Sequence, residues 1–555
     1  MNHAICKSTI AALFLLAAGP AIVQAQQSPA DIILTNGKII TVDNRFSIAQ
    51  AVAVKGDRIV AVGTTADIAR LAGPATRRID LAGKSVIPGL IDNHAHLMEE
   101  GKIWLQELRL DGITTRRQAL EMIRAKAASA RPGEWVYTLG GFSPDQFTDD
   151  KKNFTREELD RVAPNNPVQL QFTRCCTYVN SKTTEAMGLD RRNEPWIERD
   201  ASGRPTGIIK VEGADEVSDA RPAAPKEMYE PANMAMIREL NRSGLTAVGG
   251  PCPGDDAIAY RAWSRQGRLN MRFYCTTSIP SRTAAQVDAA LPRIAAIKNT
   301  MFQGDAYVDT YTYAEHLYQP VGDNMVAVKA TARPEDYAQW GRIARELAKN
   351  GIPMNQHATL VDSIDGLLTQ IEQIDKDYPV RNLRWALIHL DQLTPAQMER
   401  MKKLGMSAGV QPRSTIMGGI FHRVHSKALA DATPPFRAIQ DSGIMWGLGT
   451  DAFEVNQYRP FTTLSFAVTG KMVGGEVVNT QTIGREDALI AHTRSNAYFM
   501  SQENNLGSIA SGKLADLVVL DRDYLTVPAD QIKDIQPVMT LVGGKIVWDA
   551  AAPAR

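Results

Sequence analysis

Apolar runs recur along this chain, and several stop at a residue able to bind a cation. The first spans Val86 to Leu97 and reads Val-Ile-Pro-Gly-Leu-Ile-Asp-Asn-His-Ala-His-Leu. It predicts a buried strand that ends at Asp92 and then presents His94 and His96. In an extended segment, residues i and i+2 share a face, so both imidazoles point the same way. Two histidines placed like this can share one borderline-soft cation such as zinc. The pattern returns three times: 351–356 leads to His357, 383–388 to His389, and 445–450 to Asp451. A lone histidine is ordinarily a buried one bonded to a backbone carbonyl. A shared position at successive strand ends favours ligation instead.

Further apolar strands are expected at 244–248, 306–313 and 407–411, with helical segments between them. Strands alternating with helices predict an α/β chain built on a parallel (β/α)8 barrel of the TIM type. Active sites of such barrels lie at the C-terminal ends of the strands, where these residues stand. The 555 residues suffice for a barrel and a second module. With 22% charged residues and a formal net charge of +1, no basic face is implied. Nucleic acid and anionic membrane are therefore not expected as partners.

Both ends are rich in β signals. Residues 31–43, with Asn36-Gly37, predict one hairpin, and 51–63, around Gly56-Asp57, a second. Residues 78–87 predict a strand leading to the histidine pair. At the far end, 515–520 and 538–548, with Gly543-Gly544, are again short β segments. Neither end has enough strands to bury a core alone. They are expected to pair into one small composite β-sandwich, 26–87 with 506–555, interrupted by a barrel over 88–505. Residues 101–233 do not fit a single βα repeat. Candidate strands at 135–140, 168–172 and 206–211 predict an insertion near the barrel mouth.

Lys7, an apolar stretch over 9–23 and Val23-Gln24-Ala25 predict a signal peptide, residues 1–25, cut after Ala25. The mature protein would be periplasmic or secreted and would have no membrane partner. Of five cysteines, Cys6 leaves with the leader. Cys175 and Cys176 are adjacent and bridge only with strain. Pairing of Cys252 with Cys275 is open, because the sequence gives no distance. Buried free thiols are the expected state, since no Cys-x-x-Cys framework exists.

Pro-Gly-Leu-Ile-Asp-Asn-His-Ala-His resembles the first-strand signature of the amidohydrolase superfamily. The downstream pattern is similar to its YtcJ-like branch, which includes N-substituted formamide deformylase. Residues 506–520 are similar to that family's entry into its composite β domain, and the 166–181 and 203–207 segments resemble its insertion. The resemblance implies that His94, His96, His357, His389 and Asp451 hold a divalent metal, one ion or two, with zinc expected. It implies catalytic roles for Asp451 and His389. Departures are visible: Cys175 stands where many relatives have a histidine, and Leu360-Val361 replaces Gly-Asp after His357-Ala358.

The chemistry of such a set does not depend on the family. A bound metal acidifies a water, which attacks a carbonyl, and an aspartate beside it moves the proton to the leaving nitrogen. Many relatives bridge two metals through a modified lysine on strand four. The matching strand, 306–313, has no lysine and is followed by Glu315, a candidate bridging carboxylate or a plain loop residue. Lys210 is the less favoured alternative. Cys175, His422 and His425 are candidate substrate contacts, the two histidines on what reads as loop seven, where solvated residues are equally expected. The expected function is an exported metal-dependent hydrolase of an amide-type C–N bond in a small N-acyl or N-formyl compound. Alternatives are hydrolysis of esters or cyclic amides at the same site, or non-catalytic binding on the same fold. Homodimer formation is left open.

Overall fold

The computed structural model describes Met1, residues 28–173 and residues 175–552. The expected leader and its cleavage site fall on residues outside that range, apart from Met1. No helix among the described residues is long and apolar enough to cross a membrane.

Eight parallel strands position the site. They are β1 (Leu90–Asp92), β2 (Leu245–Pro251), β3 (Arg272–Thr277), β4 (Val308–Tyr313), β5 (Asn355–Ala358), β6 (Ala386–His389), β7 (Ser407–Val410) and β8 (Trp446–Leu448). Their hydrogen-bonded order is β4-β3-β2-β1 and β5-β6-β7-β8. A parallel bridge from Tyr313 to Met354 joins β4 to the start of β5. Side chains tie β1 to β8: Asn496 Nδ2 donates to the carbonyls of Ile91 and Leu448, both at 2.6 Å. Each strand from β2 onward is followed by a helix, which gives an α/β, TIM-barrel-like arrangement. Strand β3 escaped the sequence reading, because Arg-Phe-Tyr-Cys-Thr-Thr carries too many polar residues to read as an apolar run.

The helix Pro334–Lys349 illustrates how sequence sets orientation. It buries Trp340, Ile343, Ala344 and Leu347, the spacing of one helical face. Trp340 Nε1 donates to Gln356 Oε1 at 2.7 Å, so Gln356 faces the helix layer. Strand alternation then turns His357 the other way, away from the helix layer.

The chain ends form two sheets. One holds Ala30–Thr35, Ala51–Lys55, Arg58–Gly63 and Ala72–Asp80. The other holds Lys38–Ile40, Ile48–Ala49, Ser85–Pro88, Leu517–Leu520, Pro537–Val542 and Lys545–Asp549. Val86 and Ile87 pair antiparallel with Val519 and Val518, so N- and C-terminal segments share a sheet. Leu34 and Val52 from the first sheet and Val86, Leu517 and Leu541 from the second lie in one buried cluster. The hairpin expected over 31–43 is corrected: Ala30–Thr35 and Lys38–Ile40 enter different sheets. The Asn36-Gly37 turn carries the chain across, packed so closely that a Cβ on Gly37 would lie 2.2 Å from the Leu81 side chain. The single strand expected over 78–87 likewise splits in two, with Gly83 at φ +83° between the pieces. The 51–63 hairpin forms as expected around Gly56.

A buried ion pair fastens the C-terminal segment to the parallel strands. Arg272 on β3 donates twice to the Asp516 carboxylate, at 2.8 Å each. The expectation of free thiols at Cys252 and Cys275 is also corrected, since they form a disulfide. Cys275 lies on β3 opposite Gly250 of β2, and pairing of the two strands brings the cysteine Cα atoms to 5.3 Å. That is bridging distance.

The insertion is a five-stranded sheet of Val136–Thr138, Val168–Phe172, Cys176–Val179, Ile197–Arg199 and Pro205–Lys210. Its core of Phe142, Phe147, Phe154, Phe172 and Tyr178 continues into Met325, beyond β4, and into Ile416, Ile420 and Phe421, beyond β7. It therefore packs against loops at the C-terminal ends of the strands.

Candidate active site

His94 and His96 follow β1, Glu315 follows β4 by two residues, His357 lies in β5, His389 ends β6 and Asp451 follows β8 by three. Their polar atoms converge around the Glu315 carboxylate. Glu315 Oε1 is 2.9 Å from His357 Nδ1 and 3.0 Å from His389 Nε2. Glu315 Oε2 is 3.5 Å from His94 Nε2 and 3.6 Å from His96 Nε2. Asp451 Oδ1 completes the second set at 3.5 Å from each of those nitrogens.

These residues fit a cation. Ligand bonds of about 2.1 Å place tetrahedral neighbours about 3.4 Å apart, the separation seen around His94 and His96. Three overlapping groups have donor atoms within 4.8 Å of one another: His94, His96 and Glu315; His94, His389 and Asp451; Glu315, His316 and His357. Among the described residues, His94 Nε2 is buried without a hydrogen-bond partner. Buried polar nitrogens rarely go unpaired, and a metal would satisfy this one.

Electrostatics favour ligand forms at most of these groups. Burial pushes His389 down to about 3, with Arg413 beside it acting in the same direction. Burial likewise takes His316 to about 4. Burial opposes ionisation of Glu315, but His94 and the hydrogen bonds from His357 and His389 outweigh it and hold the carboxyl well below its usual range. Asp451 is lowered in the same way, with His389, His94 and Arg413 overcoming burial. Around His357, burial opposes protonation, yet hydrogen bonds to Asp323 and Glu315 prevail and raise it to about 10. Neutral imidazole and ionised carboxylate are the forms that bind metal.

A second layer holds these groups. Asp323 Oδ1 is 2.9 Å from His357 Nε2. The same carboxylate accepts from the backbone N–H groups of Thr359 and Leu360 and is bonded by Ser363. Leu360 and Val361, the departure noted above, thus begin a helix whose entrance is organised by Asp323. Gln411 accepts from His389 N through Oε1 at 2.8 Å and donates to Asn93 through Nε2 at 2.6 Å. His389, Leu390 and Asp451 adopt φ of +76°, +55° and +62°. Such backbone is uncommon outside glycine and clusters at functional sites. Asp323 was not visible in sequence. It lies in an irregular loop, 34 positions from the histidine it braces.

The other expected residues fall elsewhere. Lys210 is exposed at the end of Pro205–Lys210, paired with Cys176 in the insertion sheet, so it is corrected as a bridging alternative. His422 lies within the helix Ser414–Val424 and His425 caps it, so the loop expected there is corrected as well. His422 Nε2 is 3.4 Å from Asp431 Oδ1, and the His425 ring stacks on Phe421. Neither belongs to the ligand groups among the described residues. Cys175 is exposed and lines a cleft of about 480 Å³ with Asp145, Phe172 and Arg423.

The model of the Amidohydrolase family matches residues 77–548. N-substituted formamide deformylase from Arthrobacter pascens is 26% identical over 544 residues, spanning 94% of this chain and 98% of that protein. YtcJ of Bacillus subtilis (strain 168) is 25% identical over 505 residues, spanning 86% and 91%. An uncharacterized metal-dependent hydrolase from Pyrococcus furiosus shares the fold, with a TM-score of 0.63 at 21% identity over 89% of this chain and 100% of that one.

Proposed function

Since this chain belongs to the amidohydrolase family, in its YtcJ-like branch, and is a metal-dependent hydrolase acting on carbon–nitrogen bonds, we propose that its substrate is a small N-acyl or N-formyl amide. The deformylase relative supports the N-formyl case. The observation that carries the reading is the division of one carboxylate between two histidine pairs, Glu315 Oε1 with His357 and His389, and Oε2 with His94 and His96. His94, His96, Asp451 and Glu315 would hold one ion, and Glu315, His357 and His389 a second. Nitrogen and oxygen donors of this kind suit zinc. Such ions, when bound, supply the positive charge that acidifies water to a pKa of about 7 and polarises a carbonyl oxygen.

The chain's own groups do the proton work. Asp451 Oδ1, on the rim beside His94 and His96, accepts a proton from the attacking water and returns it to the departing nitrogen. An amine leaves poorly as an anion, so this delivery governs amide cleavage. His389, with Nδ1 3.6 Å from Asp451 Oδ2, steadies the carboxylate from the other side. The insertion packs against the loops beyond β4 and β7, where it would limit the access of bulk water.

The reading includes a closed eight-stranded barrel over 88–505 and one composite sandwich from 26–87 and 506–555. The Asn496 ties between β1 and β8 and the shared terminal cluster support it. It also includes export, supported by the leader-like residues 1–25 and by the Cys252–Cys275 disulfide, which belongs to an oxidising compartment. Mass spectrometry of protein recovered from a Gram-negative periplasm should find Gln26 at the N-terminus. Metal analysis of purified protein, followed by a screen of N-formyl and N-acyl amides, tests the function. About two equivalents of metal and chelator-sensitive hydrolysis are expected, whereas undiminished turnover in metal-free protein would refute it.

A further inference from the structure

Beside the ligand cluster lies a buried guanidinium that the mechanism above does not use. Arg413 follows β7, and Asp391 lies two residues past His389 at the end of β6; they are 3% and 1% exposed. Arg413 Nη2 bonds Asp391 Oδ2, while Nη1 lies 3.5 Å from Asp451 Oδ2. We propose that Arg413 is a positioning residue for Asp451. Braced by Asp391, it holds one oxygen of the Asp451 carboxylate and leaves the other facing His94 and His96. The proposal rests on the reading of Asp451 as the base.

The pattern of unpaired atoms argues for this role over a plain structural ion pair. A guanidinium facing one carboxylate ordinarily takes both oxygens with two parallel hydrogen bonds. Here one Asp391 oxygen is used and the other, Oδ1, is buried without a partner among the described residues, as is Arg413 Nε. Leaving such atoms unpaired is costly. The arrangement forgoes the second bond and turns Nη1 toward Asp451. A pair serving only to join β6 and β7 would have no reason to do so.

Asp451 needs such a hold. Its backbone sits at φ +62°, beyond the end of β8, anchored by Asp451 N donating to His94 O at 2.9 Å. The carboxylate itself turns about a soft terminal torsion. His389 Nδ1 and Arg413 Nη1 both lie on the Oδ2 side, at 3.6 and 3.5 Å. Oδ1 is thereby presented to the histidine pair. Lysine could not replace the arginine, because a point charge cannot span two carboxylates as a planar fork does.

Crystal structures and steady-state kinetics of Arg413→Gln and Asp391→Asn, at metal occupancy matched to wild type, test the proposal. In both variants the Asp451 carboxylate should leave its single orientation, rotating or splitting between two rotamers. Turnover should fall by about 10- to 100-fold, the effect of an ångström-scale misplacement, with KM changed less than about twofold. Asp391→Asn keeps the guanidinium and weakens its brace by removing the charge, so it carries the test if Arg413→Gln does not fold. An Asp451 carboxylate unmoved in the variant structures, or kcat preserved at equal metal content, overturns the proposal. Wild-type protein that hydrolyses no carbon–nitrogen substrate would defeat the functional reading instead, and the crystallographic comparison would still decide the role of Arg413.

Discussion

Glu315 and His357 meet at 2.9 Å, Oε1 to Nδ1, and the second oxygen of the same carboxylate turns to His94. One side chain thereby faces two sets of donors. Glu315→Gln keeps the volume and removes the charge. Bound metal should fall by about one equivalent and turnover by at least about a hundredfold. Metal analysis beside a rate measurement checks both, and unchanged stoichiometry would remove Glu315 as a bridge.

Asp323 orients His357 through Nε2 at 2.9 Å, the arrangement in which a carboxylate fixes the tautomer of a ligand histidine. Asp323→Asn should weaken metal binding by about 10- to 100-fold. Titration against a chelating indicator measures this. The variant should fold, because an amide oxygen can still accept from Thr359 N and Leu360 N.

Much of the candidate site was legible because strand ends repeat. His94, His96, His357, His389 and Asp451 each follow an apolar run, and a parallel sheet brings such ends to one rim. Glu315 was readable only as an acidic residue after a strand, since nothing local says that its two oxygens face different histidines. Asp323 and the pairing of Asp391 with Arg413 had no signal, because the partners lie far apart in the chain. The Asn36-Gly37 turn shows a similar limit. Turn chemistry marks where the chain reverses but not which sheet each arm joins. The helix Ser414–Val424 was hidden by Gly418 and Gly419, poor helix formers. Packing explains both: added Cβ atoms would lie 2.5 Å from Val478 and 2.6 Å from Asp145.

The Arg272–Asp516 pair should matter to stability and not to metal content. Both side chains are buried, at 1% and 4% exposure. Arg272→Met strands a buried carboxylate and should cost about 3–5 kcal/mol. The double variant Arg272→Met with Asp516→Leu should recover most of that loss. Denaturant unfolding of the three proteins checks the order.

The Cys252–Cys275 disulfide closes a loop with a sequence separation of 23. A loop of this size stabilises by about 3 kcal/mol. Replacing both cysteines with alanine should lower the thermal midpoint, and dithiothreitol should have no further effect on that variant. Intact mass under non-reducing conditions should be two hydrogens below the fully reduced mass.

The central claim is that Asp451 moves the proton at a metal centre it would share with His94, His96, His357, His389 and Glu315. Its most direct measurement is turnover of Asp451→Asn and wild type on one amide substrate, at equal metal occupancy. Asparagine keeps the shape and cannot take the proton. The account predicts a loss of roughly two to four orders of magnitude, smaller for a substrate with a good leaving group. Near wild-type turnover at equal metal content would contradict it.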